Sequence, residues 1–113
     1  MGVEEDLKAN IKEFLEIAND DFSKERYNSS IGSYFKAISA ICDLKIYELK
    51  RILPKNHAER FIFLKTSFNE VYNIISKLFK IYTKTYNLRL GKKEAILFKE
   101  NVKKIAQLFE RKS

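Results

Sequence analysis

Apolar residues return every three or four positions along almost the whole chain, the spacing that lines one face of a helix. Val3, Leu7, Ile11, Phe14, Ala18 and Phe22 make the first stripe, and Tyr27, Ile31, Tyr34, Ile38, Ile41, Ile46, Leu49 and Leu53 the second. Phe61, Leu64, Phe68, Val71, Ile75, Leu78 and Tyr82 make an unbroken third. Ala95, Phe98, Val102, Ile105 and Phe109 make the fourth. No stretch sustains the alternation of period two that a half-buried strand needs. The spacing predicts helices over roughly 3–19, 26–53, 57–84 and 92–111.

The gaps between stripes carry the chemistry of corners. "NDDFSKERY" at 19–27 is polar and joins the first two helices; within it Asp20 and Asp21 suit capping more than a catalytic carboxylate pair. The second helix is expected to stop before Pro54, because proline disfavours helical geometry in the residue ahead of it. Asn56 with Glu59 three residues on reads as an N-cap for the third helix. Asn87 and Gly91 stop it before the fourth. Short corners between long helices imply antiparallel neighbours, so the expected fold is all-α, an up-and-down antiparallel four-helix bundle formed by residues 1–113 as one domain.

Composition agrees. At 113 residues the chain is long enough for one real core, and 45% hydrophobic against 33% charged is the balance of a globular domain. No apolar run approaches the ~20 residues that cross a bilayer, so no membrane partner is expected. The start "MGVEEDLK" lacks the layout of a signal peptide, and Asp6 stands where N-myristoylation needs Ser or Thr. Cys42 is the single cysteine, which excludes an internal disulfide framework. A cytoplasmic location is the expectation.

Charge changes the picture more. The net charge is +7, yet residues 1–25 hold eight acidic and three basic groups, while residues 76–113 hold eleven basic and three acidic. A basic half attracts anionic partners, or else simply solvates its own helices. The stretch "KIYTKTYNLRLGKK" at 80–93 sets Tyr82 and Tyr86 among Lys80, Lys84, Arg89, Lys92 and Lys93. Rings among cations can stack bases while the cations hold phosphates, so these seven residues are the candidate nucleotide or nucleic-acid site. The bland alternative has Tyr82 ending a core stripe and the lysines dressing a helix end.

Helix two raises a second question, because Ser29, Ser30, Gly32, Ser33, Ala37, Ser39, Ala40 and Cys42 crowd one segment. Such small residues let another backbone approach, as core packing, as a dimer seam or as a ligand groove. Most enzyme classes fall away. One His and one Cys cannot build a zinc site, and there is no Walker loop, no G-x-G-x-x-G and no G-x-S-x-G elbow. No metal or cofactor is expected. "RILPKNH" at 51–57 leaves one catalytic pair to consider, Arg51 to hold a phosphate and His57 to move a proton, as a metal-independent ribonuclease would need.

The segments "ERYNSSIGSYFKAISAI", "LPKNHAERF" and "YTKTYNLRLGKKEAILFKENVKKIAQLF" together resemble the HEPN superfamily, the higher eukaryotes and prokaryotes nucleotide-binding domains. They look like that family's second helix, its His-containing turn before the third, and its closing loop and last helix. The resemblance implies a helical bundle, often a homodimer, that works on RNA or nucleotides. Some members cleave RNA, some are toxins paired with a small nucleotidyltransferase, and others only bind. Active members carry Arg followed after four to six residues by His. Residues 51–57 meet that spacing in the turn between helices two and three. The family places its pair near the third-to-fourth helix region, where this chain has Arg89 and no later histidine. The expectation is therefore a non-catalytic, HEPN-like module that binds a nucleotide, RNA or a protein partner. A toxin-like endoribonuclease using Arg51 and His57, and a purely structural bundle, are the alternatives.

Overall fold

The computed structural model describes residues 2–111, and every regular element in them is helical: α1 (Val3–Ser23), α2 (Tyr27–Lys50), α3 (His57–Ser67), α4 (Asn69–Lys84) and α5 (Lys92–Arg111). The expected count of four is corrected to five, because the stripe over 57–84 divides at Phe68. Its backbone (φ −141°, ψ 65°) ends α3 and opens α4. One turn earlier Thr66 Oγ1 donates to the Ile62 carbonyl at 2.9 Å, a back-bond that bends helices. The Phe68 ring itself is buried edge-on against Phe109, with centroids 5.0 Å apart, so the break is anchored in the core.

Pairings fix the directions. Ser30 Oγ donates to the Ala18 carbonyl at 2.9 Å, and Arg51 meets Glu4 at 2.9 Å near the far ends, so α1 and α2 are antiparallel. Asn28 faces the connection at 88–90 while Phe35 faces Phe98, so α5 runs in the same sense as α2. Phe68 beside Phe109 and Ile81 beside Ile96 make α4 antiparallel to α5. α2 touches each of the other four helices, and buried residues from all five form one core. No helix among the described residues is long and apolar enough to cross a membrane.

The small residues of α2 explain its central place. Ser30, Ala37, Ala40 and Cys42 are buried, and Ala18 of α1 is fully buried opposite Ser30. Close packing of α1 accounts for Ser30, while Ser39 and Ala40 border an open cleft, so the small residues serve both as core and as the wall of a groove. Gly32 is different, since a Cβ built there would meet only Tyr82 Cε1, at an ordinary 3.9 Å. A Gly32→Ala variant therefore gains about 1 kcal/mol of helix propensity with nothing displaced, read as a melting point raised by roughly 4 °C. A lower melting point would show that the site needs glycine for another reason.

Two corners turn without glycine. Glu25 and Arg51 both hold left-handed backbone, with φ 61° and 58°. α1 runs on to Ser23, past the expected 19, and Glu25 makes the reversal. α2 stops at Lys50, short of the expected 53, because Arg51 turns left-handed once its amide has bonded the Tyr47 carbonyl at 2.8 Å. The connection from α4 to α5 is tied down by Asn28. Its Nδ2 donates to the carbonyls of Thr85 and Leu88, and its Oδ1 accepts the Leu90 amide at 2.9 Å.

Candidate functional site

α3 starts at His57 because Asn56 Oδ1 accepts the Glu59 amide at 2.9 Å, while the Glu59 carboxylate accepts the Lys55 amide at 3.2 Å. This is the cap expected from the sequence, and it sets the orientation of the helix that follows. Three residues beyond His57 lies Arg60, on the same face of the helix. Arg60 Nη1 donates to His57 Nδ1 at 2.9 Å. Its Nε and Nη2 donate to the two oxygens of Asp43 on α2, at 2.7 and 2.9 Å. Such a two-pronged pair is strong and directional. Arg60 is only 9% exposed, so Asp43 is what makes its buried charge tolerable.

This arrangement fixes the state of the imidazole. A guanidinium has only donors, so Nδ1 must accept, and the proton of the neutral ring sits on Nε2. Burial lowers the His57 pKa below its ordinary 6.5; the Arg60 charge lowers it further and Asp43 opposes. Around the ring stand Phe79, Phe35 and Phe61, with centroids 5.0, 5.7 and 6.3 Å away. Phe35 in turn stacks on Tyr82, with centroids 4.7 Å apart and planes 13° from parallel.

These side chains border an open cleft of about 320 Å3. α1 gives it Leu7, Asn10 and Phe14; α2 gives Phe35, Lys36, Ser39, Ala40 and Asp43; α3 gives His57 and Arg60; α4 gives Tyr82. Lys36 Nζ reaches over the Phe14 ring, 6.0 Å from its centroid. The cleft thus offers flat aromatic walls, an ammonium group, a side-chain amide and a neutral imidazole. Its one carboxylate is held by Arg60.

Arg51 lies elsewhere. Its guanidinium donates to Glu4 at 2.9 Å, sits 5.4 Å from the Tyr47 ring centroid, and borders a separate hollow with Gly2, Val3 and Lys8. The cation bonded to His57 is Arg60. The stretch 80–93 is divided. Tyr82 enters the cleft and shares a 3.1 Å hydrogen bond with the hydroxyl of Tyr86, which is 75% exposed. That bond, with burial, pushes the Tyr82 pKa up to about 12. Lys80 and Lys84 are exposed and stand about 160° around the helix from Tyr82. Arg89 is exposed on the connection, and Lys92 and Lys93 border a hollow between α4 and α5.

The sequence reading passed over Arg60, Asp43, Lys36 and Asn10. A signal existed for the first two. His57-x-x-Arg60 puts both groups on one face of a helix already expected to start there. Asp43 shares the side of α2 that carries Ala40 and Ile46, where a carboxylate needs a partner. No family model matches the chain, and no curated protein or solved structure matches it either.

Proposed function

We propose that the chain is a non-catalytic helical module, HEPN-like in character, that takes up a nucleotide in this cleft, either free or as one unit of single-stranded RNA. The observation that carries the reading is Tyr82. It belongs to the basic aromatic stretch read from the sequence, and its ring is also a wall of the cleft that holds His57. A base between flat rings, a phosphate on Lys36 and a base edge on Asn10 would use the cleft's aromatic walls, its ammonium group and its side-chain amide. His57 serves as a hydrogen-bond donor through Nε2. Its lone pair is occupied by Arg60, so it is poorly placed to abstract a proton, and this disfavours the ribonuclease reading.

The test is titration of the full chain with the four nucleoside monophosphates and with a short single-stranded RNA at low salt. Binding is expected, and Tyr82→Ala should weaken it by a factor of about ten or more, the usual effect of losing a stacked base. Lys36→Ala removes an exposed cation, leaves the fold intact, and should lower the salt dependence by about one phosphate contact. RNA incubated with the protein in EDTA should stay intact. Absence of binding to all of these ligands at low salt would end the proposal. Cleavage that His57→Ala abolishes would reinstate the ribonuclease.

A further inference from the structure

α5 packs mainly on α2 and touches α4 far less; the two are joined where Phe68 and Phe109 are buried edge to face. Toward their other ends lies a hollow of about 600 Å3, bordered by Ile81 of α4 and by Ile96 and Leu97 of α5. α5 already buries five residues in the core, yet Ile96 and Leu97 remain 37% and 39% exposed. The charges around this hollow are almost all of one sign. Lys92 and Lys93 border it. At the helical repeat Lys77 and Lys84 lie within about 60° of Ile81 on α4, and Lys104 lies about 20° from Leu97 on α5. All five lysines are exposed, and none is in an ion pair among the described residues. Two carboxylates border the hollow as well. Glu94 accepts the Gly91 amide at 2.8 Å and so is committed to the start of α5, which leaves Glu100 against the five ammonium groups. Further along, Glu70 shares a second hollow with Lys103 and Arg111, so the excess of cations continues there.

We infer that this hollow docks an acidic amphipathic helix of another protein, laid along α4 and α5 with its apolar side inward. The floor is aliphatic and carries no ring, so it offers a nucleotide base nothing to stack on. It is also concave, whereas insertion into a bilayer needs apolar side chains that project. From Lys93 to Glu100 α5 runs about 10 Å, a length over which a partner helix presents apolar side chains at i, i+3 or i+4, and i+7. Acidic residues flanking that stripe meet Lys77 and Lys84 on one rim and Lys92, Lys93 and Lys104 on the other. None of these residues borders the nucleotide cleft, so the assignment stands apart from the ligand proposal.

The probe is a fluorescein-labelled peptide of about 18 residues, Ala-based and helical in isolation, with Leu along one face and Glu on its flanks. Its control has the same composition with the Leu residues spread around the helix. Titrated with the full chain at low salt, the amphipathic peptide should bind at least about tenfold more tightly than the control. Leu97→Glu should weaken its binding by about tenfold or more. Lys93→Glu should weaken it too, while Glu100→Lys, which removes the opposing carboxylate, should tighten it. All three positions are exposed, so the variants keep the fold, which circular dichroism verifies. Equal affinity for the two peptides, or no binding of either, overturns the inference. So does binding that Leu97→Glu leaves intact. If Leu97→Glu instead abolishes pelleting with phosphatidylglycerol vesicles, or self-association of the chain, the face belongs to a bilayer or a second copy and the inference falls.

Discussion

Phe35→Ala should lower the free energy of unfolding by about 3–5 kcal/mol, the range for emptying a buried aromatic site, and the melting point by roughly 10–20 °C. The ring is only 2% exposed. It stacks on Tyr82, meets Phe98 edge-on at 6.4 Å, and lies 5.8 Å from Phe79 and 5.7 Å from His57. Removing it opens a hole bordered by α2, α3, α4 and α5 together. No single neighbour can rotate to fill such a hole, which places the loss toward the upper part of the range. Lys36→Ala, one residue along and exposed, should change stability by no more than about 0.5 kcal/mol. Chemical denaturation of the two variants side by side checks the difference. A loss at Phe35 under about 1 kcal/mol would mean that the aromatic cluster relaxes as a unit and that Phe35 is not its hub.

Arg60→Met is the second large effect, expected at about 3 kcal/mol, the low end for a broken buried pair, because it leaves the partly buried Asp43 without the cation that holds both its oxygens. Most of that loss should return in the double variant Arg60→Met/Asp43→Leu, in which neither charge is left alone. The same substitution reports on His57. In the wild type the His57 pKa lies below the 6.5 of an unfolded chain, so the unfolded state takes up the proton first. The contribution of the neutral ring is therefore present above pH 6.5 and is lost as pH falls through the folded pKa. Without Arg60 a cation no longer opposes protonation, and Asp43 faces the ring uncompensated, so the pKa rises. NMR titration of the single histidine reads this directly. A midpoint unmoved in Arg60→Met would contradict the hydrogen bond on which the neutral imidazole depends.

The element ends were largely written in the chain. The starts at Val3, His57 and Lys92 and the ends at Lys84 and Arg111 fall where stripes, caps and stop residues put them. The break at Phe68 was harder to see, because no Gly or Pro occurs between Pro54 and Gly91 and the apolar spacing passes through without a fault. Only the polar cluster Thr66, Ser67 and Asn69 hinted at it. The lengths of α1 and α2 were misjudged at corners built on left-handed Glu25 and Arg51, a role in which glycine is the usual signal. At the site, His57 was legible as the lone histidine. Its partner was legible only through helical geometry, since Arg60 lies three residues on in the same helix and Arg51 six residues back, across Pro54. Only the helical turn decides which of them shares a face with the imidazole. Asp43 and Lys36 come from another helix; the buried side of α2 says that Asp43 needs a cation, but a linear pattern does not reveal which one packing will bring across.

The place of α2 has one more consequence. Every other helix leans on it, and each gains its interior by doing so. Removing α2 from the sequence would leave α1 with nothing to close against, and α3, α4 and α5 with only their contacts to one another. The molecule therefore does not divide into smaller autonomous halves: it assembles around a single inner rod, or not at all.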